Sequence, residues 1–554
     1  MNKLISYLLI IIILTTTLTS CTIEKSDEVP VDLPSSVDLR NYDGQNYVTP
    51  VKRQLFGDCW SFGISAAAEI SYLYANDMGV PTGQVNDAVD FSEKYNAWYV
   101  YHDITEDDVI LGKVRASQVG EGYDVSKAEN KYADAVYTIG GAIYSGSNLY
   151  ASGFAPVDES VSINGEYPYA YKGKYSEVFE GEVQYLPDDD WSLPLNATYR
   201  NPLSAPFFRD SFLLPSPATI DENEEYKFNE SGVTAIKTEL YKGHGVAVAA
   251  LVYGTTNYDH WATYNRRGIA NHVVTIVGYD DNYPKENFAL YTTDSEIDID
   301  SIPPTDGAFI IKNSYGEEGF ENSGYFYLSY HDHTISYPIS FEFDSTDSVK
   351  CQKPNYDQYD MLMIGWNGYK EYESETKIAN IFDAQMDETL YQIIYKTVLP
   401  DTSVHYEIYK NPTEGVPDSG KLLAKGDNSH IWGGYHRIDL KKEYNLKKGE
   451  IYSIVLTMTH RATDESIIFT DVIPYASNIG PDVKANGIIN KGESFLFSNG
   501  NWTDMSYLVN SLSKHVYSQS IKENLPDDFK ALNSNDIAID NYPIKGILIP
   551  SSEQ

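Results

Sequence analysis

Three polar residues, each inside its own local pattern, have the types that nucleophilic catalysis requires. Cys59 lies in QLFGDCWSF, His272 in NHVVTIVGYD, and Asn313 in GAFIIKNSYG. The thiolate is the nucleophilic form of cysteine, an imidazole can take and return its proton, and a neutral amide can accept from the imidazole N–H and fix its tautomer. The combination predicts acyl transfer through a thioester. Taken alone, Cys59 could instead be a buried structural cysteine.

The residues around this set predict the elements that must hold it. From Cys59 onward, apolar residues recur at spacings of four, four and three, as on one face of a helix; they are Phe62, Ala66, Ile70 and Leu73. At a helix N-terminus the unpaired amides and the dipole should lower the pKa of the thiol and offer an N–H to an oxyanion. Apolar runs after His272 and before Asn313 predict two strands.

Length and composition narrow the class of protein. The chain has 554 residues, 42% of them hydrophobic, so two or three domains with sizeable cores are expected. Its formal charge of −39 opposes binding to phosphate backbones, and we expect no nucleic-acid partner. Three cysteines are too few for a disulfide framework. No pattern calls for a cofactor or a resident metal.

The N-terminal residues predict export and anchoring. Lys3 precedes an apolar run from Leu4 to Leu14, followed by small and polar residues and Cys21. This is typical of a secretory signal, and LTSC at residues 18–21 resembles the prokaryotic lipobox, which implies a diacylated Cys21 after cleavage. An ordinary signal peptide is the alternative. Residues 1–20 are therefore predicted to be the signal and 21–34 a polar tether, with the protein extracytoplasmic and held at the membrane by lipid.

The motifs around the three candidate residues resemble those of the papain-like cysteine peptidases, the C1 family. That family has a Gln before Gly-x-Cys-Trp, a His before a Val-Gly-Tyr strand, and Lys-Asn-Ser-Trp-Gly. The likeness runs from about Leu33 to Tyr330. It also includes FSE at residues 91–93, where the family has a Leu-Ser-Glu helix start.

The resemblance implies a role for each matched residue. Cys59 would be the nucleophile, His272 the general base and acid, and Asn313 the residue that orients His272. Gln54 and the Cys59 amide would form the oxyanion hole. The cleft between a helical lobe and a barrel-like sheet would include Gly140, Gly141 and Tyr315, and the substrates would be proteins or peptides.

Several positions depart from the family pattern. Gln54 is five residues before Cys59 where six is usual, which puts its reach into the oxyanion hole in doubt. Phe56 replaces a frequent disulfide cysteine, and Tyr315 replaces the tryptophan that shields the asparagine bond. The interval from Cys59 to His272 is 213 positions, which requires an insertion of roughly 60 residues or more, expected at about residues 175–228. Only a short segment separates Cys21 from residue 35, so we expect no inhibitory propeptide of the usual size.

Beyond Tyr330, short β-type runs alternate with turns and predict a β-sandwich. The order of these runs resembles the lectin-like domain that follows papain-like peptidase domains in some bacterial and archaeal surface proteins. The matching runs are IYKN at 408–411, GGY at 433–435, KG at 448–449, SF at 494–495 and a last strand at 544–549, after a polar insertion near 510–540. A cell-surface glycan is a candidate partner.

Other polar or aromatic features have simpler interpretations. Trp432 and Trp502 could stack on sugars, although packing is the expected role. His331 and His333 have no third ligand nearby and are expected at a turn or rim. The acidic runs at 188–190 and 280–282 do not follow a calcium-loop spacing and are expected to be turns. Cys351 is expected to be a minor thiol near the domain junction.

The sequence thus predicts an α+β protein with a papain-like two-lobed peptidase domain at 35–335 and a lectin-like β-sandwich at 352–550. The predicted activity is that of a cysteine endopeptidase. One alternative is an adhesin or binding module that retains the peptidase fold without hydrolysis. Another is a transpeptidase that passes the same acyl group to an amine.

Overall fold

The protein is described here from a computed structural model of the chain. The structure describes residues 32–109, 112–125, 135–154, 156–170, 178–179, 182–183, 192–200, 206–220, 225–252, 254–291, 296–317, 323–362, 366–369, 375–460, 472–478, 483–518 and 533–551. The predicted signal peptide, Cys21 and the acidic run at 188–190 lie outside these residues. Within the described ranges, no helix combines the length and the apolar character that a membrane crossing requires.

The first lobe is helical and has an aromatic core. Buried rings such as Trp60, Tyr95 and Trp98 fill the space between its helices. Its helices are Cys59–Ala75, Glu93–Val100, Glu106–Val109, Ala135–Thr138, Tyr144–Ala151 and Ala197–Arg200. The longest is the predicted one and is called the Cys59 helix below. Ser92 caps the second helix by accepting a hydrogen bond from the Tyr95 N–H at 3.0 Å, so residues 91–93 form a helix start as predicted.

The second lobe is a nine-stranded sheet, largely antiparallel. Its strand order is Thr256–Asn257, Ala262–Thr263, Tyr325–Ser329, Ala308–Lys312, His272–Asp280, Val246–Ala250, Ser336–Phe343 and Phe208–Leu213, with Ser36–Asp38 also paired to His272–Asp280. Helix Glu230–Tyr241 packs on this sheet through Val233, Ile236 and Leu240. The strand that begins at His272, called the His272 strand below, is thus central and is buried along almost its whole length.

The sheet continues past the predicted end of the peptidase domain at residue 335. Strand Ser336–Phe343 pairs with Val246–Ala250 on one side and with Phe208–Leu213 on the other. Phe208–Leu213 comes from the region that we expected to be an insertion. We therefore propose that the boundary lies between residues 344 and 354.

The C-terminal part is a sandwich of β-sheets, as the alternating runs predict. One sheet has the order Asn355–Asp357, Ile544–Pro550, Glu388–Thr397, Gly434–Leu446. The other has the order Lys421–His430, Thr402–Lys410, Ile451–His460, Glu375–Asp383, Ser494–Ser498, Asn501–Asp504. A smaller sheet contains Trp366–Tyr369, Val472–Ser477 and Ile537–Ile539, beside helix Val509–Val516. Alternate residues of the Thr402–Lys410 strand, among them Val404, Tyr406 and Ile408, fill the core.

The sandwich is joined to both lobes by backbone contacts. Strand Lys484–Asn486 pairs antiparallel with Gly122–Asp124 of the helical lobe. On the sheet lobe, the Leu213 N–H donates to the Gly433 carbonyl at 2.7 Å. Gly434 has φ +137°, and a Cβ there would lie 1.7 Å from the Ser211 carbonyl oxygen. This close approach therefore requires a glycine at Gly434, the second residue of the GGY run.

Buried charges also cross the contact between the helical lobe and the sandwich. Arg115 of the helical lobe pairs with Asp357 at 2.5 Å and with Asp383 at 2.6 Å. Within the sandwich, Lys545 pairs with Asp360 at 2.7 Å and is fully buried. A buried charge is costly unless it is paired and hydrogen-bonded, so the pairing of Arg115 helps to fix the relative position of the two parts.

One carboxyl pair at this contact forms no ion pair with any cation of the described residues. Glu121 of the helical lobe is hydrogen-bonded to Asp540 of the sandwich, and both are buried. Met361 and Leu362 donate their N–H groups to Glu121 and Asp540, each at 3.1 Å. Burial raises the pKa of Asp540 to about 7 and that of Glu121 well above its usual range, because two carboxylates cannot both ionise there.

We expect this pair to make the protein less stable as the pH rises. Between the unfolded pKa near 4 and the folded value of about 7, the folded protein keeps a proton that the unfolded chain has released, so the free energy of unfolding falls with rising pH. Asp540→Asn should flatten this loss, with a smaller drop in Tm from about pH 5 to about pH 8 than in wild type. The exposed Asp401, changed to Asn, is the matched control. An unchanged pH slope in Asp540→Asn would contradict the prediction.

Candidate active site

Close packing between the Cys59 helix and the His272 strand brings the two lobes together. A Cβ on Gly63 would lie 2.5 Å from a methyl carbon of Val273, so only glycine fits at this crossing. The Thr275 hydroxyl donates to the Gly63 carbonyl at 3.0 Å. Because Gly63 is one turn into the helix and Val273 follows His272, this contact sets the helix N-terminus beside the start of the strand.

The thiol of Cys59 lies half-buried at that helix N-terminus. Burial raises its pKa, and the adjacent Asp58 raises it further, against the opposing effect of N–H groups from Val273, Trp60 and Cys59 itself. The prediction that the helix N-terminus lowers the pKa of the Cys59 thiol is therefore wrong. The amides do favour the thiolate, but desolvation of the sulfur outweighs them.

His272 and Asn313 meet as the sequence predicts. The His272 Nε2 is 2.8 Å from the Asn313 Oδ1, and both side chains are buried. Asn313 directly follows the strand Ala308–Lys312, which pairs with the His272 strand. The amide oxygen also accepts the Ser314 N–H at 2.8 Å, which fixes the amide orientation. The ring therefore carries its proton on Nε2 and leaves Nδ1 as an acceptor.

Tyr315 covers the His272 ring. The two rings are stacked with centroids 4.8 Å apart and an interplanar angle of 10°. The phenol thus supplies the aromatic cover expected in place of tryptophan. Burial lowers the pKa of His272 to about 4, although the bond to Asn313 raises it. Together with the raised thiol pKa, this keeps the proton on sulfur and the ring neutral.

Gln54 is held between two segments of the site. Its Nε2 donates to the Phe56 carbonyl at 2.8 Å, and its Oε1 accepts the Ser314 hydroxyl at 2.6 Å. A primary amide carries two N–H donors, and the bond to Phe56 uses one of them. In this shortened loop, the Gln54 amide therefore bonds partly to the backbone of the loop itself.

The two glycines proposed for the cleft lie beside the Cys59 helix. A Cβ on Gly141 would lie 2.4 Å from the Trp60 indole nitrogen, so the backbone passes directly over that ring. Gly140 has φ +77°, and its carbonyl accepts the Tyr101 hydroxyl at 2.6 Å. A left-handed φ favours glycine, which accounts for the first glycine, and close packing accounts for the second.

The sequence reasoning missed a buried ionic cluster behind the site. The Lys52 Nζ lies 3.0 Å from the Glu69 Oε1 and 2.8 Å from the Glu93 Oε1. Lys312, next to Asn313, donates to the Thr49 hydroxyl at 2.8 Å. In the sequence, the signal for this cluster was Glu69, a charged residue within the otherwise apolar helix segment AAAEI. Asp58, directly before Cys59 and fully buried, was also missed.

The other features have structural roles. Trp432 packs with the core of the sheet lobe, and the Trp502 indole N–H donates to Asp418 at 2.8 Å. Trp502 also packs against Ala379, Val455 and Phe495 of the sandwich, as expected, whereas Trp432 packs outside the sandwich. His331 is bonded to Thr305, while His333 is bonded to the Arg266 carbonyl.

The remaining candidates likewise lack a ligand set. Asn282 donates its N–H to Asp280 in a turn, and Cys351 is buried. Among the described residues, no cluster of three or more potential ligands could hold a metal.

The helical lobe, the sheet lobe and the sandwich form the fold of a papain-like cysteine peptidase domain followed by a lectin-like domain, so the predicted α+β class is confirmed. Residues 357–516 match the family model described as the lectin like domain. No curated protein matches the sequence significantly.

Two solved structures are similar over nearly the whole chain. Clostridial cysteine protease Cwp84 after propeptide cleavage is 19% identical, with 91% of this chain and 97% of that chain covered and a TM-score of 0.56. The cysteine protease and lectin-like domains of Cwp84, a surface layer associated protein of Clostridium difficile, are 17% identical, with 95% and 91% covered and a TM-score of 0.58. At this identity the likeness establishes the fold.

The His272–Asn313 bond makes a testable prediction about titration. Burial disfavours the charged ring and lowers the pKa of His272 to about 4, so His272 should stay neutral at any higher pH. Asn313→Ala removes the acceptor that holds the ring proton and should lower this pKa further. Histidine NMR titration, with His272→Gln to assign the signal, measures it. Asn282→Ala, in the turn that follows the far end of the His272 strand, should leave it unchanged, and a raised value in Asn313→Ala would disprove the interpretation.

Proposed function

We propose that this protein is a cysteine endopeptidase that cleaves protein substrates through a thioester on Cys59. The observation that carries the proposal is the Asn313–His272 bond of 2.8 Å under the Tyr315 ring, on the strand that packs against the Cys59 helix. A structural cysteine would not need an oriented and covered imidazole on the strand that packs against its helix. The cysteine protease fold of the similar structures supports the same class of activity.

The arrangement supports a general-base mechanism from a neutral resting pair. When a peptide binds, Nδ1 of His272 takes the thiol proton as sulfur attacks the carbonyl carbon, and the carbonyl π electrons move to oxygen. The Cys59 N–H and the second N–H of Gln54 stabilise this oxyanion. Collapse expels the amine, which receives the proton from His272. Water then attacks the thioester, with His272 again taking and returning the proton.

Replacing the nucleophile tests the proposal directly. Cys59→Ala should abolish cleavage of a casein substrate and labelling by an epoxide inhibitor of cysteine peptidases. Cys351→Ser is the matched control, because it removes the chain's other described thiol, which is buried away from His272. Cleavage that persists in Cys59→Ala would refute the proposal. Intact substrate that nevertheless co-purifies with the wild-type protein would favour the binding module, and amine-linked products would favour the transpeptidase.

The oxyanion role of Gln54 gives a graded prediction. Gln54→Ala should lower kcat by about 100- to 1000-fold, as loss of one oxyanion donor does elsewhere, with a smaller change in KM. Gln54→Glu keeps the Ser314 contact but replaces the donor with an acceptor, and should be equally impaired. If both variants keep wild-type kcat, Gln54 only joins the loop to Ser314 and the oxyanion has another partner.

We also propose that the protein acts outside the cytoplasm on a lipid anchor. Support comes from the signal-like N-terminus ending at Cys21 and from the surface layer association of Cwp84. Cys21→Ala should abolish palmitate incorporation and release the protein from the membrane fraction. Membrane retention without acylation would refute the anchor and leave the proposed activity unaffected.

A further inference from the structure

The carboxyl group of Asp58 is buried next to Cys59, and no other described residue forms a hydrogen bond to it. Asp58 is 0% exposed and occupies the N-cap of the Cys59 helix. An N-cap aspartate ordinarily accepts an N–H of the first helical turn, but this side chain makes no such bond. Neither carboxyl oxygen bonds to another described residue, and only the backbone N–H of Asp58 itself favours the carboxylate. The residue therefore does not act as a cap, and its burial requires another explanation.

Among the residues that the structure describes, none supplies a compensating charge to Asp58. Next to it, Gly57 lies against the Thr138 backbone, and the Phe56 ring stacks on Tyr137 at 5.5 Å. An unpaired carboxylate in such a site is strongly disfavoured, and the group takes up a proton instead. Burial accordingly raises the pKa of Asp58 to about 7.

In the described part of the chain, no charged group of the neighbouring elements pairs with Asp58. The aliphatic stem of Arg53, on the loop before Asp58, lies along Gly316. Lys52 is bound in the cluster with Glu69 and Glu93. On the facing strand, His272 is bonded to Asn313. The titratable group on which the charge of Asp58 acts is the thiol of Cys59, whose pKa that charge raises.

We propose that Asp58 is a positioning residue that controls the thiol of Cys59 through its own protonation: the neutral acid permits the thiolate, whereas the carboxylate opposes it. The sign follows from Coulomb's law, since two adjacent anions in a poorly solvated site repel each other. As the pH rises through about 7, Asp58 loses its proton and thiolate formation at Cys59 becomes harder. The thiolate fraction of Cys59 therefore rises less steeply with pH than that of an isolated thiol.

This inference rests on the proposed role of Cys59 as nucleophile, but its test needs no peptide cleavage. The readout is the rate at which iodoacetamide alkylates Cys59 in the full chain, followed by mass spectrometry of the peptide that contains it. Asp58→Asn keeps the shape and removes the charge. Its rate should match wild type at about pH 5.5 and exceed it about tenfold at about pH 8, the change in thiolate fraction that one pKa unit produces.

The test also uses a control variant and the pH profile of the wild-type protein. Asp103→Asn, a charge removal in the same lobe away from the thiol, should follow wild type at every pH. If Asp58→Asn does not fold, the wild-type profile alone is informative: alkylation should rise less steeply between about pH 6 and about pH 8 than a single titration requires. Identical profiles for Asp58→Asn and wild type, or a single-group wild-type curve, would overturn the inference while leaving the Cys59→Ala result intact.

Discussion

The crossing of the Cys59 helix over the His272 strand is the contact on which the site depends. At Gly63 the helix backbone meets Val273 so closely that a methyl group in place of the glycine hydrogen would overlap it. The thiol comes from one lobe and the imidazole from the other, so any widening at this crossing separates them. A proton transfer between sulfur and nitrogen requires hydrogen-bond distance, and this crossing keeps the two residues within the same narrow region.

The lectin-like domain helps to hold the two lobes in that arrangement, because it contacts both of them. It pairs with the helical lobe through Lys484–Asn486 and with the sheet lobe at Gly433. The buried pair of Arg115 and Asp357 adds a contact whose loss would leave an uncompensated charge. These contacts make the sandwich a brace across both lobes. A motion that opens the cleft must therefore be small or must bend within a lobe.

The sequence predicts the parts of this fold that depend on local patterns. The helix at Cys59, the strands before Asn313 and after His272, and the alternating strands of the sandwich all follow from periodicity. The strand Ser336–Phe343 was not predicted, although Ile339, Phe341 and Phe343 alternate with polar residues, because it lies beyond Tyr330, where the last peptidase motif ends. The raised pKa of the Cys59 thiol was also missed, since a helix end predicts the opposite and only the folded structure shows how little water reaches the sulfur. The same holds for Asp58, whose isolation depends on residues distant in sequence.

The pairing of Lys484–Asn486 with Gly122–Asp124 also constrains the order of folding. The two strands are about 360 residues apart in the chain. The residues of the helical lobe are synthesised first, but strand Gly122–Asp124 finds its partner only when the last domain has been synthesised. Contacts of such high sequence separation form slowly because a long loop must close first. The nascent chain thus passes through a period in which Cys59 and His272 are already present but the brace behind them is not.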